Sequence, residues 1–227
     1  MMRLFVGTFI ELPERKSIEL FQESNADLQL KNGATIKWSP AAKLHITWCF
    51  LGDVDSGKVD LLKDGINSAL QDLKSSRGEA ATPESLIFTR MAFWPQTKFP
   101  HIIVLRPDRT DKYFADLANL ITAKTQSFVK VAGEQKEFRA HITLARVRNS
   151  RSSDGQEKIP DDTSKGRISN DTAEDKRCSE KARLSEQMFR GQEQLFPLEV
   201  KLNRIELIES SQIVEGGYRS VENFDLI

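Results

Sequence analysis

The 227-residue chain carries 33 Lys and Arg against 33 Asp and Glu, a formal net charge of zero. That excludes the cationic excess that broad, non-specific grip on a nucleic-acid duplex needs. A hydrophobic content of 39% supports a real core in one large domain or two fused lobes, while apolar runs of only a few residues exclude a bilayer-spanning helix. The first residues lack the apolar run and small-residue cleavage site of a secretory leader. Arg3 to Ile10 (RLFVGTFI) reads as a strand bounded by Pro13. Pro13 to about Leu30 has the spacing of a helix, Thr35 to Trp38 that of a short strand, and Ser39-Pro40 a break. Leu44 to Leu51 (LHITWCFL) is a second strand closed by Gly52-Asp53, and Lys58 to Leu73 carries the apolar stripe of an amphipathic helix.

The pattern then restarts. Ser85 to Phe93 reads as one strand, with a loop at Trp94 to Phe99. His101 to Leu105 reads as another strand, ended by Arg106-Pro107. Thr110 to about Thr125 is a helix with Thr110 or Asp111 near its N-cap, and Glu137 to Val147 contains the strand FRAHITLARV. Residues 148–186 hold nine basic and nine acidic side chains and few large apolar ones. Such a segment cannot bury enough surface to offset its ordering entropy and reads as a mobile insertion, a candidate contact for a partner. Leu195 to Glu209 reads as one or two strands, Gly216-Gly217 as a hairpin turn, and Tyr218 to Ile227 as a final strand. Cys49 and Cys178 lie in unlike contexts, so the expectation is no disulfide, a reducing, cytoplasmic setting and a small core role for Cys49.

Two of the three histidines stand in the same triplet, His45-Ile46-Thr47 and His141-Ile142-Thr143, one in each half. Such a pair among three histidines is roughly a 1% coincidence at this threonine content. On a strand, residues i and i+2 share a face. His45 and Thr47 therefore share one face of a strand whose other face is read as Leu44, Ile46, Trp48 and Phe50, and His141 and Thr143 oppose Ala140, Ile142 and Leu144. A pseudo-two-fold relation between the halves would bring two imidazoles and two hydroxyls to one groove. Displacement at phosphorus needs a base on the attacking oxygen and an acid on the leaving oxygen, from opposite sides. Imidazoles titrate near neutrality and serve as both, and threonine hydroxyls donate to non-bridging oxygens. No metal is needed for these proton transfers, and two histidines without a third ligand in spacing make an incomplete zinc site. Arg146 and Arg139 are the cations near the second triplet. On a regular strand Arg139 shares the face of His141, whereas Arg146 lies opposite unless it sits past the strand end or a bulge re-aims it. His101 reads as a surface histidine at a strand end, and Trp94 as loop or core packing with base stacking as the alternative.

The segments KLHITWCFLG (Lys43 to Gly52) and FRAHITLARV (Phe138 to Val147), with the opening RLFVGTFIELPE and the lead KWSPAAKLHIT, resemble the 2H phosphoesterases, and among them the RNA 2′,3′-cyclic phosphodiesterases of the 2′-5′ RNA ligase family. The resemblance covers about residues 1–147 and 195–227. It implies a single bilobal α+β domain over residues 1–227. Each lobe would be an antiparallel sheet with outer helices, the lobes related by a pseudo-two-fold axis with a groove between. It implies opening of a terminal 2′,3′-cyclic phosphate to a 2′-phosphomonoester, with His45 as proton donor, His141 as proton acceptor, Thr47 and Thr143 on the phosphate, and Arg146 or Arg139 as a further contact. No cofactor is implied, and the partner is an RNA 3′ end or a cyclic-phosphate nucleotide handled by a monomer. Ala140 stands where the family often has Pro. The competing readings are a noncatalytic RNA-end or nucleotide-binding module, and an enzyme of the same type acting on another cyclic phosphate or on 2′-5′ linkages.

Overall fold

The computed structural model describes residues 1–28, 30, 34–77, 85–95, 100–129, 137–148, 189–210 and 217–226. The insertion expected after Arg148, together with Cys178, Phe99 and Gly216, lies outside the described residues. In chain order the elements are β1 (Met2–Phe9), α1 (Glu14–Ser24), β2 (Thr35–Trp38), β3 (His45–Val54), α2 (Val59–Arg77), β4 (Ser85–Phe88), β5 (Arg90–Trp94), β6 (Ile102–Arg106), α3 (Lys112–Thr125), β7 (Ile142–Arg148), α4 (Gln192–Leu195), β8 (Leu198–Lys201), β9 (Arg204–Ser210) and β10 (Tyr218–Asp225). The fold is α+β, with antiparallel pairing throughout.

The main sheet runs β10-β9-β1-β3-β7-β6-β5, with β2 added beside β7. Its two halves, β10-β9-β1-β3 and β7-β6-β5, join where β3 meets β7 at the pair Ile46↔Ile142. Helices α2 and α3 cover one face. Leu62, Ile66, Leu70 and Leu73 of α2 and Phe114, Leu117, Ala118 and Ile121 of α3 are buried with Ile46, Trp48, Ile142 and Leu144 of the sheet. These stripes recur at three- and four-residue spacing, as a helix on a sheet demands. The Asp111 side chain accepts from the Tyr113 amide (2.7 Å), which makes it the N-cap of α3. The opposite face, where the sequence places the groove, carries half-buried His45, Thr47, His141 and Thr143.

The helix read from Pro13 to about Leu30 ends at Ser24, and three further sequence expectations change. The run read as one strand at Ser85 to Phe93 is two strands in different sheets: β4 pairs with β8 in a small separate sheet, and β5 with β6 in the main one. The break falls at Thr89, whose amide donates to the Arg106 carbonyl. The strand read as ending at Gly52-Asp53 continues to Val54, because Gly52 at φ 71° carries the chain through an irregularity that an L side chain would strain. Phe50 does not join Ile46 and Trp48 on the core face. The register steps from Gly7↔Thr47 to Val6↔Cys49, so Trp48 and Cys49 share one step of β1 and the parity of β3 reverses beyond Thr47. Trp48 and Cys49 are both buried, while Phe50 is 69% exposed on the groove side.

Candidate active site

The join between the half-sheets places the two triplets side by side. With Ile46 opposite Ile142 in antiparallel register, one residue further each way sets His45 across from Thr143 and Thr47 across from His141. The pair Ile46–Ile142 lies buried on the helix side, and the four polar side chains stand half-buried on the other. A local two-fold axis thus passes between the isoleucines. His45 and His141 occupy diagonal positions, about 7–8 Å apart along the backbone in such a pair, which leaves room for a phosphate group between their rings.

Each imidazole is oriented in the same way. The His45 Nδ1–H donates to the Lys43 carbonyl (2.7 Å), and the His141 Nδ1–H donates to the Arg139 carbonyl (2.8 Å). A carbonyl only accepts, so the proton sits on Nδ1 and the lone pair of the neutral ring is on Nε2. Aromatic rings pack each imidazole. Phe5 lies 4.9 Å from His45 and Tyr218 5.3 Å edge-on, while Trp94 lies 4.7 Å from His141. Burial is the main reason that both pKa values fall below the ordinary 6.5, against the opposing effect of the carbonyl bonds. His141 further lowers His45, and the Arg106 guanidinium further lowers His141. Both histidines are therefore predominantly neutral at pH 7 in the free protein.

Beyond each threonine the strand bulges in the same place. In β7 the register steps from Val104↔Thr143 to Ile103↔Ala145, so Leu144 and Ala145 share one step. Both are fully buried, and Arg146 returns to the face of His141 and Thr143. The bulge that Arg146 needs is present. The Leu144 carbonyl within it accepts from the Ser39 amide (2.8 Å) and from Nε2 of buried Gln22 (3.2 Å), which also donates to the Ser39 carbonyl (3.0 Å). The repeat is therefore longer than the triplet: basic-X-His-X-Thr-X-X, then Phe50 in one half and Arg146 in the other. Arg139 shares the groove side as its parity requires, but it lies exposed at the rim with its guanidinium 3.7 Å from Glu137.

The sequence reading missed Arg106 and undervalued Trp94. Arg106 closes β6, and its guanidinium stacks 5.1 Å over the Trp94 ring that touches His141. Nothing local marks either residue, because β5 and β6 reach the site only through the sheet order. His101 is exposed just before β6, its amide bonded to the Trp94 carbonyl. On the His45 side an open cavity of about 630 Å³ is lined by Phe9, Arg204, Glu206 and Tyr218 among others. Among the described residues no group of three or more His, Cys, Asp or Glu side chains gathers as a metal site, and no helix is long and apolar enough to cross a membrane.

By sequence, no family model and no curated protein matches the chain. Solved structures do. Apo LigT of E. coli superposes with a TM-score of 0.59 at 18% identity, covering 99% of this chain and 96% of that one. TT0787 of Thermus thermophilus gives 0.59 at 19% identity over 99% and 98%. Usb1 of Kluyveromyces marxianus gives 0.51 at 9% identity over 99% and 96%. LigT also has structures with phosphate and with 3′-AMP. The likeness runs through the whole length of both partners, whereas motifs of a few residues are diluted at such identity. The chain has the fold of the 2H phosphoesterases.

Proposed function

We propose that the chain hydrolyses a terminal 2′,3′-cyclic phosphate of RNA or of a nucleotide to a 2′-phosphomonoester, with His45 and His141 as the acid–base pair. The observation that carries this reading is the two-fold arrangement about Ile46 and Ile142, with two Nδ1-anchored imidazoles diagonal to each other and a threonine across from each. A phosphate held between them presents one imidazole to the attacking water and the other to the leaving oxygen, which is the in-line requirement. The phosphate and 3′-AMP complexes of LigT add weight, as a protein of the same fold that takes these groups.

In the reaction the Nε2 lone pair of His141 takes a proton from water as its oxygen bonds to phosphorus. The P–O3′ bond breaks, and Nε2–H of His45 delivers a proton to O3′. The products are a 2′-phosphomonoester and a free 3′-hydroxyl; His141 returns its proton to solvent and His45 takes one up at Nε2 as the next phosphate binds, which resets the pair. Thr47 and Thr143 donate to the non-bridging oxygens as charge builds on them, and Arg146 lies on the same face to add a charge-assisted bond. Burial lowers the proton affinity of both imidazoles, Arg106 adding to this at His141 and His141 adding to it at His45. An arriving phosphate monoanion raises the proton affinity of the ring beside it, which lets that ring carry the proton of the acid. The test is hydrolysis of a nucleoside 2′,3′-cyclic phosphate by the wild type, His45→Ala and His141→Ala, with the product phosphate located by ³¹P NMR. The 2′-phosphate forms only with both histidines present if the reading is right.

A further inference from the structure

Arg106, Arg90 and Arg139 gather beside the His141 half of the site, more cations than a single cyclic phosphate needs. Arg90 of β5 pairs directly with Arg106 of β6. Like charges facing each other across strands destabilise a sheet. Continuing the register Leu105↔Ile142 by one residue puts Arg106 beside His141, so one row of the sheet reads Thr47, His141, Arg106, Arg90. The carboxylates nearby answer this charge weakly. Asp108 is 3.8 Å from Arg90 and Glu137 is 3.7 Å from Arg139, both pairs well exposed. Arg106, half-buried over Trp94, has no carboxylate partner among the described residues. An open cavity of about 390 Å³ at the end of β6 is lined by Arg106, Asp108, Arg109, Glu137 and Arg139 among others, and Arg90 stands outside that lining, one strand beyond Arg106.

We propose that Arg106, Arg90 and Arg139 form a second anion subsite, beside the His141 half of the groove, that takes a phosphate group other than the one being cleaved. The proposal rests on the cyclic-phosphate reading for the placement of the first phosphate. Adjacent strands lie about 4.8 Å apart, so Arg106 and Arg90 stand roughly 5 and 10 Å beyond His141. Successive phosphates of a nucleic-acid strand advance by about 3.4 Å along the helix axis and lie further apart through space, which falls within that reach. A guanidinium fork suits a phosphate better than an ammonium would. Burial lowers the pKa of Arg106, and Arg90 and Arg139 lower it further. A bound phosphate would relieve that repulsion. Two sources carry this chemistry: the internal phosphodiester of an RNA end, and the 5′-phosphate of a free nucleotide.

The experiment compares kcat/KM of wild type and Arg90→Gln on four substrates. They are cytidine 2′,3′-cyclic phosphate, its 5′-phosphorylated form, a dinucleotide ending in the cyclic phosphate, and that dinucleotide with an uncharged methylphosphonate link. The wild type should favour a substrate with a second charged phosphate by about tenfold over its uncharged counterpart, one charge-assisted contact. Arg90→Gln should erase that advantage and leave cytidine cyclic phosphate unchanged. An advantage confined to the dinucleotide identifies an RNA chain, and one confined to the 5′-phosphate a free nucleotide; both support the subsite. No advantage in the wild type, or an equal loss by Arg90→Gln on all four substrates, overturns it. If the wild type hydrolyses none of them, the cyclic-phosphate reading fails by itself. The subsite is then judged by calorimetry with adenosine 2′,5′-bisphosphate against 2′-AMP: about tenfold tighter binding, lost in Arg90→Gln, upholds it, and equal binding overturns it.

Discussion

Phe50 and Arg146 occupy equivalent places, three residues beyond Thr47 and Thr143, and each reaches the groove because a bulge reverses the strand there. One half of the two-fold site therefore ends in an exposed aromatic ring and the other in a guanidinium. The symmetry holds for the two His-X-Thr triplets and breaks at these two positions.

This asymmetry predicts different losses. In Phe50→Ala, activity on a nucleoside cyclic phosphate should fall by about tenfold through KM, the worth of one base–aromatic contact, while a base-free cyclic phosphate is hydrolysed as before. In Arg146→Ala, both substrates should lose alike. Steady-state kinetics on the two substrates checks this, and an equal loss in Phe50→Ala would remove the ring from substrate binding.

The buried histidines make a pH prediction. Their pKa values are lowered on folding, so the unfolded chain binds more protons than the native one as pH drops. Their contribution to stability is complete above about 6.5 and is lost as pH falls through the lowered native values. Histidine ring titration by NMR should show His45 and His141 protonating below 6.5. Added inorganic phosphate should move both upward, since an anion between the rings favours their charged forms.

Thr47→Ala and Thr143→Ala should each lower kcat by about a hundredfold while the fold persists, as for loss of one donor to developing charge. The two values should be similar because the hydroxyls are related by the same axis. Single-turnover rates with the folded state confirmed by circular dichroism measure this.

Gly7 lies across from Thr47, and a Cβ there would stand 2.9 Å from both the Ile46 carbonyl oxygen and the Phe5 ring. Gly7→Ala forces β1 and β3 apart at the bulge, and should cost about 1–3 kcal/mol by denaturant titration. The shift reaches His45 through Phe5, so activity should fall with stability.

Much of this was legible in the chain itself. The alternation and helical stripes place β1, β2, β3, α2 and α3 closely, and the duplicated triplet with matching apolar positions points to the site. What could not be read is register. Whether Trp48 and Cys49 share one step of the neighbouring strand depends on β1, far away in sequence, and that decides the side on which Phe50 lies. The division of β4 from β5 at Thr89 depends equally on β8 and β6, each of which takes one piece. Arg106 looks like any strand-ending cation until β6 lies beside β7. That Arg146 needs either a bulge or a place past the strand end, by contrast, follows from parity alone, and β6 decides for the bulge.

Hydrolysis of a nucleoside 2′,3′-cyclic phosphate in the presence of a chelator tests the two-histidine mechanism most directly. The wild type should convert it to the 2′-phosphomonoester, and folded His45→Ala and His141→Ala should not. Hydrolysis that persists in either histidine variant would contradict it.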